Sequence, residues 1–284
     1  MSITALYTAL IDDAALFPPG SAPMPEAVTS HLGHRRAWYA PLVGPFVCPA
    51  TRLDELAAHL DFGSGPLGVT VVVDTGVGGI GPAVDVVAAD DRMILRGIEV
   101  PLRGEPLTDP ARRTLAALDA AVGGPDEEEP AYVEVPRQMG WREALEIVAD
   151  SGYRAKLRTG GATPDAFPPD GHVASFILAC LDLDTPFKFT AGLHRAVRHT
   201  SSDGVEQHGF LNALAGVAVG IDGGGDVDVA RTVGDRDSAA VADLVRGLPA
   251  ATAARVRTWF TSYGSCSIAE PVDDLLALGL VSKE

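Results

Sequence analysis

The sequence predicts an α/β protein, a (β/α)8 TIM-like barrel whose seventh unit is irregular. Two observations carry that prediction. Short strand patterns alternate with helical patterns along most of the chain, and the connections suit parallel crossovers. Several of the strands also end in charged residues, which a parallel sheet buried on both faces would exclude. The C-terminal ends of barrel strands instead open onto a cavity. An open doubly wound parallel sheet is the alternative.

The elements follow in order. Residues 1–40 form an N-terminal segment expected to pack on a single barrel domain spanning 1–284. Gly44–Ala50 has a strand pattern and Leu53–Leu60 a helical one. Leu67–Asp74, Leu-Gly-Val-Thr-Val-Val-Val-Asp, is a second strand, and the glycine-rich turn Gly76–Gly81 closes it before another helix. Met93–Val100 is a strand stopped by Pro101, followed by a helix through Arg112–Ala121. The linker Gly123–Pro130, with Glu127, Glu128 and Glu129 in a row, is expected to be an exposed loop. Tyr132–Val135 is a fourth strand, and Trp141–Asp150 has amphipathic helical spacing. Tyr153–Arg158 and Phe187–Thr190 are strands five and six, separated by a helix through Val173–Leu183. Beyond His208 the pattern blurs into helices through Phe210–Val219 and Ser238–Arg246, a last strand at Val256–Ser262, and a closing helix from Glu270 through Gly279. Seven strands are visible, and an eighth is not.

Composition narrows the function. A chain of 284 residues that is 46% hydrophobic can build one large core. With 22 Lys+Arg against 38 Asp+Glu, the net charge of −16 repels nucleic acid and anionic membranes, so neither is an expected partner. No run of about 18 apolar residues is present, and Met1–Asp13 lacks a basic start, so neither a membrane span nor a signal peptide is expected and the cytoplasm is the default. Cys48, Cys180 and Cys266 are too few and too scattered for a disulfide framework or a zinc motif, and all three are read as structural. The sequence leaves the oligomeric state open.

Against that acidic background a cationic cluster stands out. Strand side chains alternate between faces, so Lys188 and Thr190 share one face and Phe187 and Phe189 the other. Lys156 and Arg158 likewise share a face, opposite Tyr153, Ala155 and Leu157. The third and fourth strands end alike, in Glu99-Val100-Pro101 and Glu134-Val135-Pro136. If these strands are neighbours, their side chains form an arc of alternating sign at one mouth. Structural ion pairing between strand ends is the plainer reading of the same arc.

The chemical reading centres on Lys188 as nucleophile or electrostatic catalyst. A lysine attacks a carbonyl only as the neutral amine, and Lys156 and Arg158 would lower its pKa by repulsion. Glu134 or Glu99 would move protons, and Thr190 would hydrogen-bond an intermediate. His194, after the glycine turn, is the candidate acid/base. The amide-rich turns Thr159-Gly160-Gly161 and Gly264–Ser267, with Ser265, suggest anion binding beside Arg158. A metal alternative joins His194, His199 and His208 with Glu134 or Asp13 around a divalent ion. Gly76, Gly78 and Gly81, with Glu99 further on, approach a dinucleotide fingerprint, although a glycine-rich barrel loop explains them equally well. Asp12 and Asp13 reach the site only if the N-terminal segment folds over the mouth rather than plugging the bottom.

Phe187–His194 resembles the sixth strand of class I aldolases such as deoxyribose-phosphate aldolase and keto-deoxy-phosphogluconate aldolase, which carry a Schiff-base lysine on a Lys-x-aromatic/Thr stretch. The resemblance implies that role for Lys188 and extends no further along the chain. Ile11–Pro19, the Lys-x-Arg-Thr-Gly-Gly turn, Thr-Ala-Gly-Leu-His and the closing Tyr-Gly-Ser-Cys-Ser together resemble a bacterial family of uncharacterised proteins, which implies a shared site and no particular activity. The expected function is a barrel enzyme acting on a small anionic carbonyl compound by lyase, aldolase-type or isomerase chemistry without a cofactor. A metal-assisted hydrolase or lyase and a non-catalytic anion-binding barrel are the alternatives.

Overall fold

Eight parallel strands close into a barrel in a computed structural model that describes residues 4–61, 63 and 65–283. The chain begins with β1 (Ile11–Asp13), α1 (Met24–His34), β2 (Val43–Pro49), α2 (Leu53–Ala58) and β3 (Leu67–Val72). It continues through α3 (Ile80–Ala88), β4 (Met93–Pro101), α4 (Thr108–Val122), β5 (Ala131–Glu134), α5 (Trp141–Asp150) and β6 (Arg154–Arg158). Then come α6 (Asp170–Asp182), β7 (Phe187–Thr190) and a small hairpin of β8 (His199–Thr200) and β9 (Glu206–Gln207). Helices α7 (Phe210–Ile221), α8 (Asp226–Val233), α9 (Ser238–Arg246) and α10 (Ala250–Trp259) lead to β10 (Phe260–Ser265) and α11 (Ala269–Ala277). Each barrel strand pairs with its chain neighbours, and β10 closes the ring between β7 and β1. The barrel is therefore observed, and the open sheet is not.

The eighth strand that the sequence hid is β1. Its three residues, Ile-Asp-Asp, carry no strand pattern, yet Ile11 registers with Val43 on one side and with Tyr263 on the other. Ile11–Asp13 is thus part of the barrel wall, and the residues that follow it lie at the mouth, where Phe17 and Pro18 line a cavity, rather than plugging the bottom. Those residues turn back at the mouth, where the Ala14 amide donates to the Ser265 carbonyl at 2.8 Å and the Ala22 amide to Ala15 at 2.9 Å.

The last strand is also shifted. Val256–Ser262 was expected extended, but the alanine-rich run after Pro249 forms α10, and the strand starts only at Phe260. Alanine loses no side-chain entropy in a helix, which outweighs the β-branched Thr252, Val256 and Thr258. The irregular seventh unit is the region between β7 and β10, which holds the hairpin and four helices. Helix α7 is buried from Phe210 to Ala218 and packs against α8, α9 and α10, as a helix apolar all round must. Asp237 caps α9 by accepting from the amides of Ala239 and Ala240, worth about 1 kcal/mol.

The outer face of β7 sets the direction of its inner one. Phe187 and Phe189 pack on Phe260 at ring distances of 5.6 and 5.1 Å, and Phe176 of α6 covers Phe187 at 5.8 Å. With both phenylalanines held outward, Lys188 and Thr190 turn into the barrel. Among the described residues no helix is long and apolar enough to cross a membrane.

Candidate active site at the barrel mouth

Strand register brings the charged residues together. Glu134 stands beside Lys156, Lys156 beside Lys188, and Arg158 beside Thr190. Lys188 Nζ donates to Asp12 and, at 2.6 Å, to Glu99 Oε1. Lys156 Nζ donates to Glu99 Oε2 at 2.5 Å and lies 2.8 Å from Glu134 Oε2. The Ser262 hydroxyl donates to Asp12 at 2.8 Å, and the Tyr132 ring lies under the Lys188 ammonium at 5.2 Å. The result is one chain of alternating charge, Asp12–Lys188–Glu99–Lys156–Glu134. It is buried except at its Glu134 end, where the side chain keeps 15% of its exposure.

The electrostatics reverse the sequence expectation for Lys188. Burial works against its ammonium, but the carboxylates of Asp12 and Glu99 outweigh burial and raise its pKa above the ordinary value. Lys156 is raised in the same way by Glu134 and Glu99. Repulsion from Lys156 and Arg158 does not lower Lys188, because Glu99 stands between the two ammonium groups and bonds both. Burial would raise Glu99, and the two lysines instead hold it down at about 2. Asp12 is pushed up by burial more than its bonds to Lys188 and Ser262 pull it down.

A cavity of about 370 Å³ opens above this lattice, walled by Glu99, Glu134, Lys156, Arg158, Thr190 and His194, with Arg103, Asp74, Phe17 and Pro18 at its edges. Lys188 lies beneath that wall, 1% exposed. A second cavity of about 480 Å³ meets the first at Pro18, Arg158, Ala191 and His194, and adds Phe167, Asp203 and Gln207. Arg158 stands at the junction, fixed by donation from Nε to the Gly160 carbonyl at 2.9 Å. The Thr190 hydroxyl is buried without a partner among the described residues. His194 is lowered by burial, more than Glu270 raises it, so its imidazole is neutral at pH 7.

Several expected site residues serve the scaffold instead. The Thr159 hydroxyl donates to the Ala191 carbonyl at 2.6 Å, tying the ends of β6 and β7. Ser265 turns its hydroxyl to the Ser267 carbonyl at 2.7 Å. Gly160 gives room for close packing, because a Cβ there would lie 2.9 Å from both Gly192 Cα and the Phe167 ring; Gly161 lines the second cavity. The histidines are not gathered, since His199 faces the Val197 carbonyl, His208 the Pro168 carbonyl, and Asp13 bonds His31. Among the described residues no three ligating side chains are placed to hold a metal ion. The dinucleotide reading fails with Glu99, which both lysines engage inside the barrel. Cys48 and Cys180 are buried, and burial pushes the Cys266 thiol up although it lies 3.6 Å from His194 Nδ1.

Sequence reasoning missed Asp12 as a fixed member of the site. Its signal was an acidic residue between Ile11 and the apolar Ala14–Phe17, which a solvated face does not explain. Gly44 is the matching vacancy across the β1–β2 pair, where a Cβ would lie 2.3 Å from Asp12 Oδ1. Gly44→Ala is expected to destabilise the fold by about 1–3 kcal/mol through this overlap, read as a lower urea midpoint at pH 7.

No protein-family model, curated protein or solved structure matches the chain. The likeness of the Lys188 segment to class I aldolases therefore rests on its own few residues. The chemistry of the mouth must be argued from its geometry.

Proposed function

We propose that the barrel mouth is the active site of an enzyme acting on a small anionic carbonyl compound by lyase or isomerase chemistry. The observation that carries this reading is the Lys156–Glu134 pair at the cavity wall, backed by Glu99, Lys188 and Asp12, with Arg158 two residues beyond Lys156 on the same strand and the same cavity. Arg158 binds the carboxylate or phosphate of the substrate. Lys156 donates to the carbonyl oxygen, and Glu134 takes the proton from the adjacent carbon, so the electron pair moves onto an oxygen already facing an ammonium. The proton then returns to the neighbouring carbon in an isomerisation, or a leaving group departs in a lyase reaction. His194, neutral by burial, supplies or accepts the second proton, and the unpartnered Thr190 hydroxyl holds the intermediate. Lys188 acts through Glu99 as a positioning residue.

The test is deuterium wash-in. Keto acids, hydroxy acids and sugar phosphates are incubated with the protein in D2O, and exchange at the carbon beside the carbonyl is followed by NMR. Exchange that Glu134→Gln removes is expected for one class. Saturable thermal stabilisation by these anions with no exchange and no turnover would move the reading to a non-catalytic binding barrel.

The Schiff-base variant has its own expected result. Lys188 would have to release a proton held by two carboxylates, and it lies behind the cavity wall. Borohydride trapping with aldehydes and keto acids at pH 7 is therefore expected to leave Lys188 unmodified by peptide mass. A reduced adduct mapped to Lys188 would restore the aldolase-type mechanism.

A further inference from the structure

We propose that the opposite, N-terminal end of the barrel holds a second binding site, for a small phosphate monoester that also carries hydroxyl groups. A cavity of about 580 Å³ lies there between the end of α1 and the starts of β2, β3 and β4. Arg35, Arg36 and Arg96 line it. In a chain with 38 acidic residues against 22 basic ones, carboxylate partners are abundant, and Arg92, Arg198 and Arg236 all have them. The guanidinium groups of Arg35, Arg36 and Arg96 have no ion pair or hydrogen bond among the described residues. Three guanidinium groups without a direct carboxylate partner thus line one cavity.

Helix-dipole compensation accounts for part of this only. Arg35 and Arg36 follow the C-terminus of α1, where cations are favoured, but Arg96 comes from a strand. Its stem lies over Gly68, where a Cβ would come within 3.0 Å of Arg96 Cγ, so β3 leaves room for the arginine to reach the cavity. A second, independent observation is His31, 2% exposed and on the same wall. Its Nδ1 is bonded to Asp13 at 2.9 Å, and its Nε2 has no partner among the described residues. In the tautomer whose Nδ1 donates to the Asp13 carboxylate, Nε2 is an acceptor, which suits a ligand hydroxyl.

The far wall limits the ligand. Glu127 and Glu128 line it and repel a polyanion, so a long phosphate chain or nucleic acid is excluded, while hydroxyl groups can donate to them. Guanidinium forks match phosphate oxygens bidentately. One phosphate at the arginine side and hydroxyls at the glutamate side satisfy both walls. This site does not depend on the chemistry proposed for the mouth.

Isothermal titration with glycerol 3-phosphate, with glycerol and inorganic phosphate as controls, tests the proposal on the full chain. Saturable binding of glycerol 3-phosphate is expected in the Arg158→Gln background, which removes the anion partner at the mouth, and it is weakened about tenfold or more when Arg96→Gln or the double Arg35→Gln/Arg36→Gln change is added. These arginine changes are at exposed side chains, and circular dichroism confirms that the variants fold. Glycerol 3-phosphate binding tighter than inorganic phosphate supports the two-walled site. Absence of saturable binding in the Arg158→Gln background, or binding there that the added Arg35, Arg36 and Arg96 changes leave intact, overturns it.

Discussion

Glu99→Gln is expected to cost about 3–5 kcal/mol of stability, the range for removing one partner from a buried ion pair. Each carboxylate oxygen of Glu99 accepts from a different lysine, Oε1 from Lys188 and Oε2 from Lys156. Glutamine keeps the shape but has only one acceptor, so its NH2 faces one of the two ammonium groups. The remaining lattice holds two cations against Glu134 and an Asp12 that burial already pushes toward protonation. Urea unfolding at pH 7 measures the loss, and the double variant Glu99→Gln/Lys188→Met is expected to recover much of it by removing the stranded charge. A single-variant loss under about 1 kcal/mol, with no coupling to Lys188, would show that the lattice does not hold the barrel together.

The same lattice sets the acid sensitivity. Glu99 is held below its ordinary value, so its contribution is present above about pH 4.5 and is lost as the pH falls toward 2. Lys188 is raised, so its contribution is full below its ordinary value near 10.5 and is lost only as the pH climbs beyond that. Asp12 is raised and has the opposite sense to Glu99: its contribution is present at low pH and is lost as the pH rises through its folded pKa. Between wild type and Glu99→Gln, the stability gap is therefore expected to be widest near neutrality and to close between pH 4.5 and 2.

The barrel was legible because its middle strands are unambiguous. Leu67–Val72 and Phe187–Thr190 state their burial through apolar runs and alternation, and the end of Tyr153–Arg158 states its side. The mouth followed from those strands, since register alone places Glu134, Lys156 and Lys188 side by side. What the sequence concealed was tertiary. Three residues with two aspartates become a strand only because β2 and β10 offer free edges on both sides. Lys188 reads as a reactive amine when only the cations near it in sequence are counted, and as a permanent ammonium once Asp12 closes the barrel beside it. Thr159 and Ser265 show why turn residues mislead, for the same hydroxyl that suits an anion also satisfies a nearby carbonyl.

Glu134→Gln is expected to lower kcat by about 10²–10⁴, the usual worth of a positioned general base, with a stability loss well below that of Glu99→Gln. The two carboxylates differ by placement. Glu134 ends the charged chain, has one ionic partner and keeps 15% of its side-chain exposure toward the cavity, whereas Glu99 bridges two lysines in the interior. Arg158→Gln is expected to act differently, raising KM with a smaller change in kcat, because the proposed mechanism gives it the anion and not the reacting carbon. Lys156→Met removes the proposed donor to the carbonyl oxygen and frees Glu134 from its partner, so it is expected to lower kcat. These splits are read from initial rates and from deuterium wash-in on whichever carbonyl class the protein exchanges. Turnover that survives Glu134→Gln but falls with His194→Gln would transfer the base role to the imidazole. Turnover untouched by either variant would place the chemistry outside this mouth.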